Sequence, residues 1–446
     1  MNLPHQNPRH GLSRAVLALA MVCITPTTAF ALDVADAKAR VDAQLDRMYP
    51  ALDVLYKALH AKPELAFQET EPASRLAREM RASGFEVTEK VGRTGVVAIL
   101  RNGPGPTVMV RTDMDALPME EKTGLPYASR HKTVGADGKE TFVAHSCGHD
   151  VHMAAWVGTA RALASMKDRW RGTLMFIGQP AEEGSGGAKA MLADQLFARF
   201  GKPDHGFALH VGPGPAGLVS YRAGANTSTS DALEVRFNGR GAHGSRPSAS
   251  IDPVVMASRF VMDVQTVISR EKDAAEFGVV TIGSIQGGTV GNIIPDSVTL
   301  RGTIRSYTDA VRKKLHAGIQ RTAKAVAEMA GAPAPDVTIG SGASSVINDE
   351  SLTARTGEVF KAAFGAKARQ LPEPSSGSED YSEFVMAGVP SVYFWIGSTD
   401  PRVIEEARAG GKPVPSNHSP LFAPLPETSI RTAVGAMSLA VLNAMQ

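Results

Sequence analysis

The chain has 446 residues, 43% of them hydrophobic and 21% charged, and its 47 Lys and Arg against 45 Asp and Glu give a formal net charge of +2. That length accommodates two domains with proper cores at about 100–200 residues each. The balanced charge, without a basic block or an aromatic ladder, excludes a polyanionic partner such as nucleic acid, and two cysteines, Cys23 and Cys147, exclude a disulfide-built fold.

The first predicted element is a leader. Arg9 and Arg14 precede an apolar run, Ala15 to Ile24, followed by Thr28-Ala29-Phe30-Ala31, a secretory pattern ending in an A-x-A site. The run is about ten residues, short of the roughly 20 that a spanning helix needs, and no later segment is long and apolar enough. We expect a signal peptide over 1–31 and an exported mature chain of 415 residues, secreted or periplasmic, with no membrane attachment and a net charge near zero. Cys23 follows Met21-Val22, where lipoprotein leaders carry a small residue, which disfavours lipidation. Cys147 is then the one cysteine of the mature chain, a thiol kept where oxidation is a hazard.

Helical patterns over Val34–Leu65 and Glu71–Ser83 lead into strand-like runs at Val96–Leu100 and Thr107–Arg111. A helix from about Val151 to Met166, the strand Leu174–Gly178, a helix near Ala188–Phe197 and the strand Phe207–Val211 continue an α/β layered pattern. After Tyr221-Arg222 the character shifts: a strand over Ala232–Phe237, a helix over Pro253–Ser269, strands at Gly278–Ile285 and Ser297–Thr303, and a helix over Asp309–Met329. This β-α-β-β-α order, about 110 residues long, predicts a small domain with an antiparallel sheet. The expected organisation is therefore a larger α/β domain over 32–225 and 341–446, interrupted by a small domain over 226–340.

The densest polar cluster is His145-Ser-Cys-Gly-His-Asp150, with His152 following. Cys147 and His149, two apart on extended backbone around Gly148, project to one side and can meet a common metal. A thiolate held by a dication is deprotonated and shielded, which accounts for a free cysteine in an oxidising compartment. By itself the cluster also reads as a nucleophilic Cys–His pair. Gln179-Pro-Ala-Glu-Glu-Gly184 follows an apolar strand. Adjacent acids on a loop are ordinarily a solvated pair, but at a strand end before the flexible Gly184-Ser-Gly-Gly187 they can divide two roles, one binding metal and one activating water. His210 and His418 complete a plausible ligand set for Zn, Mn, Co or Ni.

Several spaced blocks together resemble a known family: Arg111-Thr-Asp-Met-Asp-Ala-Leu-Pro118, Cys147-Gly-His-Asp150, Gln179-Pro-Ala-Glu-Glu-Gly184, Leu209-His-Val211, Gly241-Ala-His243, Gly287-Gly-Thr289 with Asn292-Ile-Ile-Pro295, Gly377-Ser-Glu-Asp380 and His418-Ser-Pro420. The likeness is to the two-metal aminoacylase and carboxypeptidase-like metallopeptidases, in the amidohydrolase branch that contains bacterial hippurate hydrolases and plant auxin-conjugate hydrolases. It implies two divalent ions held by Cys147, His149, Glu183, His210 and His418, with Cys147 bridging, Glu182 as catalytic base, and Asp115 as an acid that orients a ligand. Where much of the wider family has His-x-Asp, this chain has Asp113-Met-Asp115, so the first position is not expected to be a ligand and His149 takes its place. His243 matches an oxyanion-stabilising histidine of the satellite domain, commonly supplied across a homodimer. Asn292, Arg305 and Gly377 match substrate contacts, with Arg305 facing the free carboxylate of an amino acid, although Arg301 lies four residues away and an ion pair within the sheet would explain either arginine. Ser248 stands after Pro247 where many relatives have histidine, which bears on substrate preference.

The resemblance implies metal-dependent hydrolysis of N-acyl amino acids, with Glu182 taking a proton from water and passing it to the departing amine. A dipeptidase or carboxypeptidase on the same scaffold, an inactive peptide-binding protein and a cysteine hydrolase are the competing readings. The first differs in needing an acidic anchor for a free α-amine, and none is obvious.

Overall fold

The computed structural model describes residues 1–5, 32–184, 186–411 and 413–446. The stretch that carries the leader assignment, Arg9 to Ala31 with Cys23, lies outside the described residues.

The first long helix, Val34–Ala61, starts at Asp33, whose side chain accepts the Asp36 N–H at 3.0 Å as a cap. Its buried stripe, Val41, Leu45, Leu52, Leu55 and Leu59, keeps the spacing of one helix face. The helix stops short of the expected Leu65 because Pro63 disfavours helical backbone at the residue before it.

An eight-stranded mixed sheet carries the larger domain, in the order Glu86–Val91, Gly95–Asn102, Gly172–Gln179, Thr107–Asp113, His205–Pro215, Ser391–Thr399, Val219–Tyr221, Ala368–Gln370. The four middle strands run parallel. Such strands are buried on both faces and read as continuous apolar runs: Leu174 and Phe176 enter one core with helices Val34–Ala61, His149–Ser165 and Pro426–Ala444, while Met175 and Ile177 enter another with Met191, Leu196 and Phe384. The edge strand Glu86–Val91 was not expected, since its sequence is half charged and its side chains are mostly half-exposed. The single helix expected near Ala188–Phe197 is two short ones, Gly187–Ala193 and Leu196–Phe200, broken at Gln195 with φ 58°.

A four-stranded antiparallel sheet, in the order Gly278–Gln286, Ser297–Ser306, Asp231–Asn238, Asp336–Gly340, has its own apolar core with the helices Pro253–Asp263 and Asp309–Met329. The fourth strand extends the expected order by one. The first of these helices ends six residues before the expected Ser269, and a π-helical turn over Val267–Glu271 completes the segment. The architecture is thus a catalytic α/β layer interrupted by a smaller α+β unit. No helix among the described residues is long and apolar enough to cross a membrane.

Candidate metal centre and active site

The site lies where the parallel strands end, the place at which open α/β sheets leave a crevice. Asp113 closes the strand Thr107–Asp113, and Glu182 and Glu183 follow Gly172–Gln179. His210 sits within His205–Pro215, and Cys147 and His149 flank the start of the helix His149–Ser165.

Local backbone at Cys147 differs from the expectation. Gly148 is left-handed, with φ 89°, and a Cβ there would lie 2.4 Å from Val211 Cγ2. Cys147 therefore stands in a turn and His149 is the first residue of a helix, and this sharp bend, open to glycine alone, brings the two side chains together. Ligand atoms of Cys147, His149 and Glu183 lie within 4.8 Å of one another. Cys147 Sγ is 3.4 Å from His210 Nε2, and His418 Nε2 is 3.3 Å from Glu183 Oε1. All five residues assigned as ligands converge.

Backbone carbonyls set the two buried histidines. His149 donates Nδ1–H to the Asp115 carbonyl oxygen at 2.7 Å, and His210 donates Nδ1–H to that of Val211 at 2.7 Å. Each Nε2 is left with its lone pair toward the cluster, as a metal-ligating imidazole requires. His149 Nε2 is buried without a hydrogen-bond partner among the described residues, a costly condition that a cation relieves. Charge points the same way. Burial presses the Cys147 thiol far above its usual range, and Glu183, Glu182 and Asp113 press it further, so a thiolate there needs an adjacent cation. Burial opposes protonation of His149, but Asp113 and Asp115 outweigh it and hold it at about 10. With two imidazoles, a thiol and a carboxylate lone pair converging in a surplus of negative charge, the donor set fits divalent transition metals.

The other acids fall into place around it. Asp113 is held by protein partners: Arg111 donates to its Oδ2 and His152 to its Oδ1, both at 2.7 Å, while ligand atoms of Asp113, His149, His152 and His210 also lie within 4.8 Å of one another. His152 is engaged at both nitrogens, since its Nε2 accepts the Val211 N–H at 2.9 Å. Asp115 does more than its expected task. Its carboxylate accepts the backbone N–H groups of Glu182 and Glu183, each at 3.0 Å, while its carbonyl orients His149. Glu182 is buried and faces Glu379 and Asp380. Burial first, then Glu379 and Glu183, raise its pKa well above the ordinary carboxylate range, as suits a group that must accept a proton and return it.

A cavity of about 430 Å³ opens over Cys147, Glu182, Glu183 and His210, and Arg305 and Gly377 line it too. The two arginines differ in their contacts. Arg301 pairs with Glu234 across the sheet at 2.8 Å, whereas Arg305 Nη1 is buried without a partner among the described residues. His243 and Asn292 do not line this cavity. Both are exposed, on adjacent loops joined by the Gly244 N–H to the Asn292 carbonyl at 2.7 Å. His243 Nδ1 accepts the Ser245 N–H at 3.1 Å, which leaves Nε2 as the protonated donor of the neutral ring. Ser248 lies in the exposed 3₁₀ turn Pro247–Ala249, also outside the cavity.

Sequence reading missed a buried network behind Glu182. Arg111 donates to Gln179 at 2.8 Å and to Glu379 at 2.7 Å; Gln179 donates to Asp380 at 2.5 Å, and the Tyr393 hydroxyl to Glu379 at 2.7 Å. Asn417 was missed as well: its Nδ2 donates to the carbonyls of Cys147 at 3.0 Å and Val211 at 3.1 Å. The adjacency of Asn417 to His418, and of Glu379 to Gly377, was the available signal.

Comparison with known proteins agrees with this geometry. The model of Peptidase family M20/M25/M40 matches residues 109–409. The chain is 35% identical over 333 residues to the hippurate hydrolase of Campylobacter jejuni, 73% of this chain and 82% of that one. It is 34% identical over 346 residues to the N-acetyl-L-cysteine deacetylase of Bacillus subtilis, 76% and 78%. The solved structure of Bacillus subtilis YXEP protein, described as a dinuclear metal binding peptidase from the M20 family, superposes with a TM-score of 0.72 at 26% identity, covering 90% of this chain and 99% of that one.

Proposed function

The chain belongs to the M20/M25/M40 peptidase family, and on that premise we propose that this metal-dependent amidohydrolase splits N-acyl amino acids into a carboxylic acid and a free amino acid. The observation that carries the substrate class is Arg305, a half-buried arginine in the wall of the cavity that holds Glu182 and Cys147, whose buried Nη1 has no partner among the described residues. Such a group is made for a carboxylate.

Cys147, His149, Glu183, His210 and His418 would hold two divalent ions, Zn, Mn, Co or Ni. Bound there, the ions supply Lewis acidity toward the amide carbonyl and toward water. Glu182 takes the proton of the attacking water, whose oxygen bonds to the carbonyl carbon. His243 donates Nε2–H to the developing oxyanion. As the C–N bond breaks, Glu182 gives its proton to the departing nitrogen. Asp115 fixes the backbone of Glu182, and Arg305, Asn292 and the Gly377 segment hold the amino-acid half.

His243 and Asn292 are exposed and do not line the cavity of their own chain, and Ile285, Val290 and Ile293 of the same inserted unit are exposed as well. This supports a homodimer in which one satellite domain serves the partner's site, with domains divided at 32–225, 226–340 and 341–446. The leader pattern over 1–31 supports a secreted or periplasmic enzyme. The test is a release assay over acetyl, benzoyl, long-chain acyl and indole-acetyl amino acids, before and after a strong chelator. Activity should require metal and a free α-carboxylate. Turnover by demonstrably metal-free protein, or cleavage only of peptides with a free α-amine, would reject it.

A further inference from the structure

A second cavity, about 640 Å³, shares Glu183 with the first and otherwise has its own walls. Its inner wall is apolar: Leu65, Ala66, Ala116, Leu117 and Pro118, next to Glu183 and Gly184. Ala66 lies against Gly184, where an added Cβ would come within 3.9 Å of it. The wall is firmly joined to the catalytic loops. Leu65 bridges to Ala116, the Ala116 N–H donates to the Glu64 carbonyl at 2.8 Å, and Ala116 follows Asp115, which holds Glu182 and Glu183.

The facing wall is a separate device. A two-stranded hairpin, Lys132–Val134 with Glu140–Phe142, turns through Gly135 and Gly138 and contributes Gly135, Ala136, Asp137, Lys139, Glu140 and Thr141 to the cavity, a wall more polar than the one it faces. It leans on the other wall through Gln68, which accepts from Thr133 Oγ1 and donates to the Val134 carbonyl, both at 3.3 Å. The hairpin plays no part in the metal centre.

Two cavities that meet at Glu183 match the two halves of a substrate whose scissile bond lies there. The first, with Arg305, takes the amino acid. We propose that the second is the acyl subsite, and that it takes an apolar acyl group far larger than acetyl, aromatic or long-chain, with the hairpin setting the size it accepts. This rests on the amidohydrolase reading above. The volume lies within the roughly 300–1,000 Å³ of sites for drug-sized ligands, so an acetyl methyl would leave most of it to water. Each further apolar carbon placed against the wall contributes to transition-state binding, by about tenfold or more per methylene in a fitted pocket.

The experiment is a series of N-acetyl, N-benzoyl and N-octanoyl derivatives of one amino acid, assayed with the wild type and with two variants on opposite walls, Ala66→Phe and Thr141→Phe, each checked for metal content. In the wild type, kcat/KM should rise at least tenfold from acetyl to the larger groups. Each variant should lower the larger substrates about tenfold or more and leave the acetyl substrate within about threefold. Wild-type rates that do not increase with acyl size would overturn the subsite, and so would variants that slow all three substrates equally while retaining metal. If no N-acyl amino acid is split and free-amine dipeptides are, the amidohydrolase reading fails and takes the subsite with it.

Discussion

Glu69 holds Ala181: its Oε1 accepts the Ala181 N–H at 2.8 Å, one residue ahead of Glu182. Ala181 has φ 48°, a left-handed backbone that costs a non-glycine residue about 1–3 kcal/mol and persists where neighbours enforce it. The same carboxylate accepts the Phe67 N–H at 2.8 Å and the Thr94 hydroxyl at 2.6 Å.

Replacing Glu69 with Ala should therefore leave two backbone N–H groups unpaired, at about 1–3 kcal/mol each, and lower kcat with little change in KM, while Glu69→Gln keeps an acceptor and most of the activity. Burial first, then Asp115, raise the Glu69 pKa to about 7. A carboxyl whose folded pKa exceeds its unfolded value contributes stability that is complete below about 4.5 and is lost as pH rises through about 7. Denaturation midpoints should show the wild type losing stability relative to Glu69→Gln between pH 5 and pH 8. A pH-independent difference would mean that Glu69 does not carry the titration.

The two adjacent glutamates should separate by metal content. Glu182→Gln should keep the metals and the fold and lose about 10²–10⁴ in kcat, as loss of a general base does. Glu183→Gln should lose metal, because it removes the carboxylate that faces both His149 and His418. Equal metal loss in both would show the roles wrongly divided.

Cys147→Ser should lower metal stoichiometry, since a neutral hydroxyl replaces a thiolate. With cobalt as the probe metal, the wild type should show a sulfur-to-metal charge-transfer absorption that Cys147→Ser lacks. Unchanged stoichiometry and an unchanged spectrum in the variant would remove the thiol from the ligand set.

Arg305→Ala should raise KM for substrates with a free α-carboxylate by about tenfold or more, the worth of a charge-assisted hydrogen bond, and leave α-amide analogues unaffected. Arg301→Ala should change neither, because Arg301 is an exposed partner of Glu234. A KM that rises equally for both kinds of substrate would remove Arg305 from carboxylate recognition.

His243→Ala should cut kcat by about 10²–10³ without metal loss, as removal of one oxyanion donor does. Mixing it with Glu182→Gln under subunit exchange should restore activity, because one site of each heterodimer then has both groups. Freely exchanging mixtures that stay inactive would place His243 outside the partner's site.

The residues that converge were legible because each stands in a short segment whose residue types betray its chemistry: Cys147-Gly-His149, the paired glutamates, and single histidines at strand or loop ends. The inserted small unit was legible from its shift to alternating strands. What stayed hidden depends on distance along the chain. Arg111 and Glu379 are 268 residues apart, and no local pattern joins them. Asp115 presented itself as a side chain beside a ligand, whereas its main contacts are backbone N–H groups of another strand end, which carry no residue identity. His152 sits in the motif and offers imidazole like a ligand, and its two satisfied nitrogens are a fact of tertiary structure alone. Arg305 and Arg301 lie on the same strand, and the partner of one, Glu234, is what distinguishes them.

The clasp formed by Asn417 and His418 has a consequence for biosynthesis. Asn417 ties the carbonyls of Cys147 and Val211, and the His418 N–H donates to the Ser146 carbonyl at 2.8 Å. These residues leave the ribosome after every other assigned ligand, and the helix Pro426–Ala444, which packs on the helix that begins at His149, leaves after them. A growing chain can hold every other assigned ligand and still have an unclosed centre, so hydrolytic competence should arrive only once this segment has been made, and translation products that stop short of it should be inert toward the amide bonds around them.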